Sequence, residues 1–223
     1  MITPDYIERS NRKTLSLTVM KDGNVVVKAP LKMSDEIINN FVLEKQNWIK
    51  EKLAFVNQML SKYDDIANYK KFLLYGNRYS LLIADVKKIE TNDFKIVIPK
   101  KYEGNILGAL KSWYKQVAKH VLSDRLKYIQ EKLKLKSNSM RISDQAKRWG
   151  TCNSSGAISF NWRVILMPPA IIDYVIVHEL CHLVEMNHSK KFWDLVYRFL
   201  PNAPKIKKDL KEFGFLLDLF RKV

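Results

Sequence analysis

Hydrophobic and polar residues alternate with a period of two through Thr14–Pro30. Leu15, Leu17 and Val19 share one face, Lys21-Asp22-Gly23-Asn24 has the composition of a turn, and Val25 to Val27 come next, which predicts a β-hairpin. At Ser34, with Asp35 and Glu36 behind it, the period lengthens. Ile37, Ile38, Phe41, Val42, Trp48, Ile49, Leu53, Val56 and Leu60 recur at helical spacing and predict one long helix with these side chains in the core. Strand-like runs return from Phe72 to Pro99, at Leu73-Leu74, Tyr79 to Ile83 and Phe94 to Ile98, with turns at Gly76-Asn77 and Thr91-Asn92-Asp93. A second long helix is predicted from about Ile106 to Leu135, its buried stripe running from Leu110 through Trp113, Val117, Val121, Leu122, Leu126 and Ile129 to Leu133. Met140 to Trp149 and Ala157 to Leu166 read as a second hairpin closed by Asn153-Ser154-Ser155-Gly156. Pro168-Pro169 opens a helix that is apolar nearly all round from Ala170 to Val184, the mark of a helix buried on most sides. A short helix from about Ser189 to Leu200 comes after it, stopped by Pro201. These elements predict an α+β chain: a β-rich region with one long helix over 1–103, and a helix-dominated domain over 104–223.

Chemistry concentrates in the buried helix. His178-Glu179-Leu180-Cys181-His182 is an HExxH motif, and His188 lies six residues beyond it, so three of the chain's four histidines fall within eleven positions. Residues four apart on a helix lie one above the other, so His178 and His182 can present two imidazole nitrogens to one ion. Glu179 lies to the side, where a carboxylate can reach a metal-bound water without filling a coordination place. Two unpaired imidazoles and a carboxylate would be costly to bury in such a helix, and a cation is the simplest partner for all three. Metzincins carry a glycine where Glu185 stands and a methionine turn downstream, yet no methionine comes after Met186; thermolysin-like enzymes use a downstream glutamate, and the only one after Glu185 is Glu212. His188 is therefore the favoured third ligand. Glu185 is its rival, or else a group that orients a histidine or binds substrate. Cys181 points away from the His178/His182 face, and His120, on the second long helix, reads as a surface residue. Three histidines suit zinc better than manganese or nickel.

Charge widens the field of substrates. Lys plus Arg number 39 against 23 Asp plus Glu, a formal net charge of +16, so the surface should attract polyanions such as nucleic acid or nucleotides, although no basic cluster is dense enough to name a face. The two cysteines, Cys152 and Cys181, form no disulfide framework, and no apolar run reaches the length of a membrane span, so a cytoplasmic protein is expected.

The run from Arg148 to Val196, RWGTCNSSGAISFNWRVILMPPAIIDYVIVHELCHLVEMNHSKKFWDLV, closely resembles the YgjP-like family of zinc metallopeptidases, of the zincin clan with the SprT-like and WLM families. The N-terminal hairpin, the Trp48 helix and Tyr75 to Tyr79 carry the likeness over nearly the whole chain, with Thr151 and Asn153 standing where serines are expected. The resemblance implies a zincin-like catalytic domain, metal bound at His178, His182 and His188, and Glu179 as base. It also implies a strand edge beside the metal helix to which an extended substrate adds, here Ala157 to Phe160. Arg148, Asn161 and Arg163 are the groups to consider for binding substrate or an oxyanion. Two other readings use the same parts. A metal-activated water also hydrolyses nucleotide phosphoanhydrides, with Arg148 and Arg163 clamping phosphates. A structural zinc with a fourth protein ligand, Glu185 or Cys181, would instead mark a non-catalytic nucleic-acid-binding module.

Overall fold

The computed structural model describes residues 1–221. Among them, helices and three small sheets make a mixed α+β architecture, and the chain divides into two compact units, Met1–Asn68 and Tyr69–Val223.

In the first unit β2 (Ser16–Val19) and β3 (Val25–Pro30) form the expected antiparallel hairpin. Gly23, at φ +91°, supplies the left-handed residue its turn requires. A third strand, β1 (Tyr6–Ser10), pairs parallel to β3, giving the order β1-β3-β2. All five β1 residues are exposed, so no alternation betrayed it in the sequence. The helix predicted from Ser34 is two helices, α1 (Asp35–Glu44) and α2 (Gln46–Lys62), hinged at Lys45 with φ −96° and ψ 7°. Ser34 caps the first as expected, its hydroxyl accepting from the Ile37 N–H. The hinge carries neither Gly nor Pro; Gln46 beside it bonds both main-chain groups of Ile2, at 2.7 and 2.8 Å, tying the N-terminal segment to the bend. Ile38, Val42 and Ile49 face Val25, Val27 and Ala29 across the core. Ile37, Trp48 and Leu60, expected inside, are exposed, because the bend re-aims each half of the stripe. A single turn, α3 (Asp64–Ala67), closes the unit.

The second unit begins with a four-stranded sheet of β4 (Phe72–Leu74), β5 (Asn77–Ala84), β6 (Glu90–Asn92) and β7 (Lys95–Pro99) in the order β4-β5-β7-β6. Sequence grouped these strands with the N-terminal region; they pack instead with the C-terminal elements, so the unit boundary lies at 68/69 and not at 103/104. Three contacts show why. Tyr114 of α4 (Ile106–Leu133) donates its hydroxyl to the Leu73 carbonyl at 2.9 Å, and Tyr75 and Gly76 donate N–H groups to Ile165 and Leu166. Gly76, at φ +81°, also sits so close to Pro168 that a Cβ there would come within 2.8 Å of the ring.

The third sheet joins β8 (Ser139–Ser143), β9 (Gly150–Cys152) and β10 (Ala157–Asn161) in the order β8-β10-β9. The hairpin closed by Asn153–Gly156 pairs β9 with β10, whereas the Met140 segment pairs parallel to β10 on its other side. A 3₁₀ turn, Trp162–Leu166, leads to α5 (Pro169–Cys181), and then come α6 (Lys190–Phe199), α7 (Ala203–Leu210) and a 3₁₀ segment, Lys211–Asp218. Tyr114, Trp162 and Phe220 pack ring on ring, with centroids 5.7 to 5.9 Å apart, at the base of this layer. No helix among the described residues is long and apolar enough to cross a membrane.

Candidate metal centre

α5 is buried on all sides, with Ile171, Ile172, Val175, Ile176, Val177, Leu180 and Cys181 in the core. Such a helix is held rigidly by packing, which fixes His178 and Glu179 in its last turn and His182 at its C-terminal end. Its last turn brings His178 and His182 to one face, with ring centroids 5.0 Å apart. The chain then turns sharply: the N–H groups of Val184 and Glu185 both bond the Cys181 carbonyl. Asn187 Oδ1 accepts from the Ser189 N–H at 3.1 Å, starting α6 and returning His188 to the other two. His188 Nε2 lies 3.0 Å from His178 Nε2, and one ring nitrogen from each of the three histidines falls within 4.8 Å of the others. His182 Nδ1 is 3.0 Å from the Glu185 carbonyl; donation to that oxygen sets the tautomer and leaves Nε2 free. The group of Glu185 that meets the histidine is its main-chain carbonyl.

Aromatic rings wall the triad. Phe192 stacks on His182 at 4.5 Å, Trp193 stacks on His188 at 5.7 Å, and the Lys207 ammonium sits 3.7 Å from the Trp193 ring centre. Burial, then the neighbouring His182, His188 and Lys207, hold the His178 pKa down to about 3, so its ring is neutral near pH 7, as a ligand must be. Burial likewise lowers His188. Two neutral rings whose Nε2 atoms lie 3.0 Å apart can turn both nitrogens to one cation in the tautomers that carry their protons on Nδ1.

Glu179 is buried beside the triad, and burial raises its carboxyl to about 8 while the charge of Arg148 pulls the other way. It lies against Gly150 of β9, where a Cβ would come 2.6 Å from Glu179 Oε1. The strand and the helix can approach this closely only because that residue is glycine. Together they line a cleft of about 790 Å³ whose walls include Arg148, β9, Tyr174, Met186, Lys207 and Lys211.

Of the residues expected to meet substrate, Arg148 lies on this wall; Asn161 and Arg163 do not. Both are fully buried and engaged elsewhere. Asn161 Nδ2 donates to the carbonyls of Gln145 and Arg148, at 2.8 and 3.1 Å, pinning the loop that carries Arg148. Arg163 stacks on Trp162, bonds Asp144, and donates from Nε and Nη2 to the Leu219 carbonyl at 2.8 and 2.5 Å. The Ala157–Phe160 strand is central in its sheet, so it offers no edge; β9 is the edge strand and borders the cleft. Among the described residues no fourth His, Cys, Asp or Glu joins the triad, so neither Glu185 nor Cys181 closes it. His120 is on the surface beside Asp124. Sequence reasoning missed Gly150, Tyr174, Trp193, Lys207 and Lys211. Tyr174, four residues before His178 on the same helix face, and Trp193, beside Phe192 in α6, were within reach of spacing arguments; the lysines of α7 carried no local signal.

The family model of the YgjP-like metallopeptidase domain matches residues 13–213. The chain belongs to that family. A YgjP-like metallopeptidase domain implies a hydrolase that uses a metal ion, and the three histidines could hold one. Among solved structures, the metallopeptidase zymogen of Pyrococcus abyssi abylysin is similar at 23% identity with a TM-score of 0.37, over 40% of this chain and 90% of that one. No curated protein matches the chain.

Proposed function

We propose that this chain is a zinc-dependent peptidase, acting in the cytoplasm on extended polypeptide, with catalysis in the part from residue 104 onward. Three imidazole nitrogens gathered within 4.8 Å, with Glu179 buried beside them and no fourth acidic, thiol or imidazole ligand among the described residues, carry this reading. His178, His182 and His188 would hold the ion. Bound there, zinc would supply Lewis acidity, polarising a peptide carbonyl and lowering the pKa of water to about 7.

The protein's own groups do the rest. Glu179 takes the proton of the attacking water and passes it to the leaving amine; burial makes its carboxylate a stronger base, and Gly150 gives it room. β9 presents its unpaired edge to a substrate strand, because β10 occupies its other side. Arg148, on the cleft wall and close enough for its charge to act on Glu179, is the group for an oxyanion or a substrate carboxylate. Two free thiols, Cys152 and Cys181, suit a reducing compartment.

Glu179→Gln tests the assignment. Hydrolysis of unfolded protein should fall about a thousandfold while zinc stoichiometry stays at one per chain. A chelator should abolish activity and zinc restore it. Peptide hydrolysis undiminished in Glu179→Gln would overturn the role of that residue, and a chain that binds no zinc would overturn the whole reading.

A further inference from the structure

We propose that the cleft selects acidic polypeptide segments, and that Arg148, Lys207 and Lys211 make the selection; this rests on the peptidase reading above. Cationic residues are common in a chain with 39 Lys and Arg, so number alone decides nothing. Their pairing does. Arg9, Lys28, Lys115, Arg125 and Arg163 each face an aspartate or glutamate. Arg148, Lys207 and Lys211 form no ion pair with any described residue, although all three are on the wall of one cleft. The one acidic residue on that wall is Glu179, which the reaction itself engages. An acidic substrate side chain would therefore meet three cations, of which only Arg148 has a carboxylate, that of Glu179, within reach of its charge.

Each cation is also held in place. The main chain of Arg148 is pinned by Asn161 Nδ2, so its side chain starts from a fixed point next to β9. Lys207 rests its ammonium 3.7 Å from the centre of Trp193, which in turn stacks on His188; the charge stays at the edge of the triad. Lys211 is four residues on, and its helical backbone (φ −63°, ψ −30°) continues α7, so it lies on the same face as Lys207. One cation thus stands on the strand side, beside Glu179, and two stand on the helical side, Lys207 close enough to act on His178 and His188 and Lys211 on the same cleft wall. A peptide laid along β9 runs past both groups, and acidic residues flanking the scissile bond would find a partner on either wall.

The test uses the full chain loaded with zinc and quenched fluorescent peptides of one length, carrying Asp/Glu, Asn/Gln or Lys around a common scissile bond. Acidic peptides should show kcat/KM about tenfold above their amide counterparts, with the lysine series lowest, and the advantage should shrink as salt rises to about 0.5 M. Lys207→Gln/Lys211→Gln should lose most of this preference, and Arg148→Gln about three- to fivefold of it. Lys127→Gln/Lys136→Gln, which removes the same net charge away from the cleft, should keep it. Binding is read separately, by fluorescence anisotropy of the acidic and lysine peptides on Glu179→Gln, where the same ranking of Kd is expected. Equal cleavage of all three series would overturn the selection and leave the peptidase reading standing. Preference retained in the double lysine variant would overturn the assignment to these residues. If no peptide is cut in a Glu179-dependent way, the peptidase reading fails first. Glu179-dependent phosphate release from nucleoside triphosphates, uninhibited by acidic peptides, would replace both.

Discussion

The Gly150–Glu179 contact sets the tolerance of the centre at the scale of single atoms. Helix α5 is fixed by a fully packed core, so a methyl added at Gly150 cannot push the helix back. The burden falls on the Glu179 side chain, whose Oε1, Cγ and Cδ lie 2.6 to 2.8 Å from where the new carbon would be. Overpacking of this kind costs about 1–3 kcal/mol and forces a side chain off its rotamer. Gly150→Ala should therefore fold with a modest loss of stability and lose about a hundredfold in kcat, while zinc affinity, set by three histidines that the methyl does not touch, changes less than threefold. Peptide hydrolysis beside zinc titration by a competing chelator separates the two. Equal losses in both would mean that the methyl disturbs the helix as a whole, and that Gly150 does not serve Glu179 in particular.

At the scale of elements, legibility in the sequence depends on where each pattern is enforced. α5 and the triad could be read because the motif spacing and the all-round apolar surface both belong to one local stretch. The β2/β3 hairpin and the Ser34 cap were readable for the same reason, and of the α4 stripe Leu110, Leu122, Leu126 and Ile129 are in the core, whereas Trp113, Val117, Val121 and Leu133 are half-buried and Tyr114 and Ala118 take their place. The features that escaped depend on partners distant in sequence: the exposed strand β1, the hinge at Lys45 between α1 and α2, and the parallel pairing of β8 that makes β10 a central strand. Arg163 was misread by the same route. Its charge suggested a substrate, whereas Asp144, nineteen residues earlier, and the Leu219 carbonyl, fifty-six later, enclose it in the core. This node ties β8, the Trp162–Leu166 turn and the C-terminal segment that forms part of the cleft wall. Burial pushes the Asp144 carboxyl upward, but the bond and charge of Arg163, helped by Trp162 and Lys115, more than reverse it and hold it below the usual carboxylate range. A depressed folded pKa means stability that is present above the unfolded value near 4 and lost as pH falls through and below it. Asp144→Ala should strip the buried guanidinium of its counter-charge and cost about 2–3 kcal/mol, a fall of roughly 5–10 °C in Tm, with less of the wild-type decline in stability between about pH 4 and 2. Melting curves of both proteins across that interval check it; parallel pH profiles would remove Asp144 from the account.

For the whole molecule, a metal ion held by the three histidines would be coupled to the folding of the unit that carries them, Tyr69–Val223. Their nitrogens converge only when α5, the turn after it and α6 are in place, so the unfolded chain has no equivalent site and, on the proposed reading, zinc would favour the folded state. At zinc concentrations about a hundred times Kd the gain is about 2.7 kcal/mol, which for a unit of this size raises Tm by roughly 5–10 °C. Four of the five tryptophans, Trp113, Trp149, Trp162 and Trp193, belong to that unit, so tryptophan fluorescence tracks its melting with little contribution from Met1–Asn68. The pH dependence has a definite sign. His178 is held down to about 3 in the fold, against about 6.5 in an unfolded chain, so the unfolded state takes up protons first. Metal-free protein should lose stability as pH falls from about 6.5 towards 3, and because protons and zinc compete for the same nitrogens, the zinc-induced rise in Tm should shrink over the same interval. His188→Ala should abolish most of the rise at pH 7.5 while lowering the metal-free Tm by only a few degrees, since that ring is exposed and gives up chiefly its stacking on Trp193. A zinc shift of the same size in His188→Ala, or one that persists undiminished at pH 5, would place the ion somewhere other than this triad.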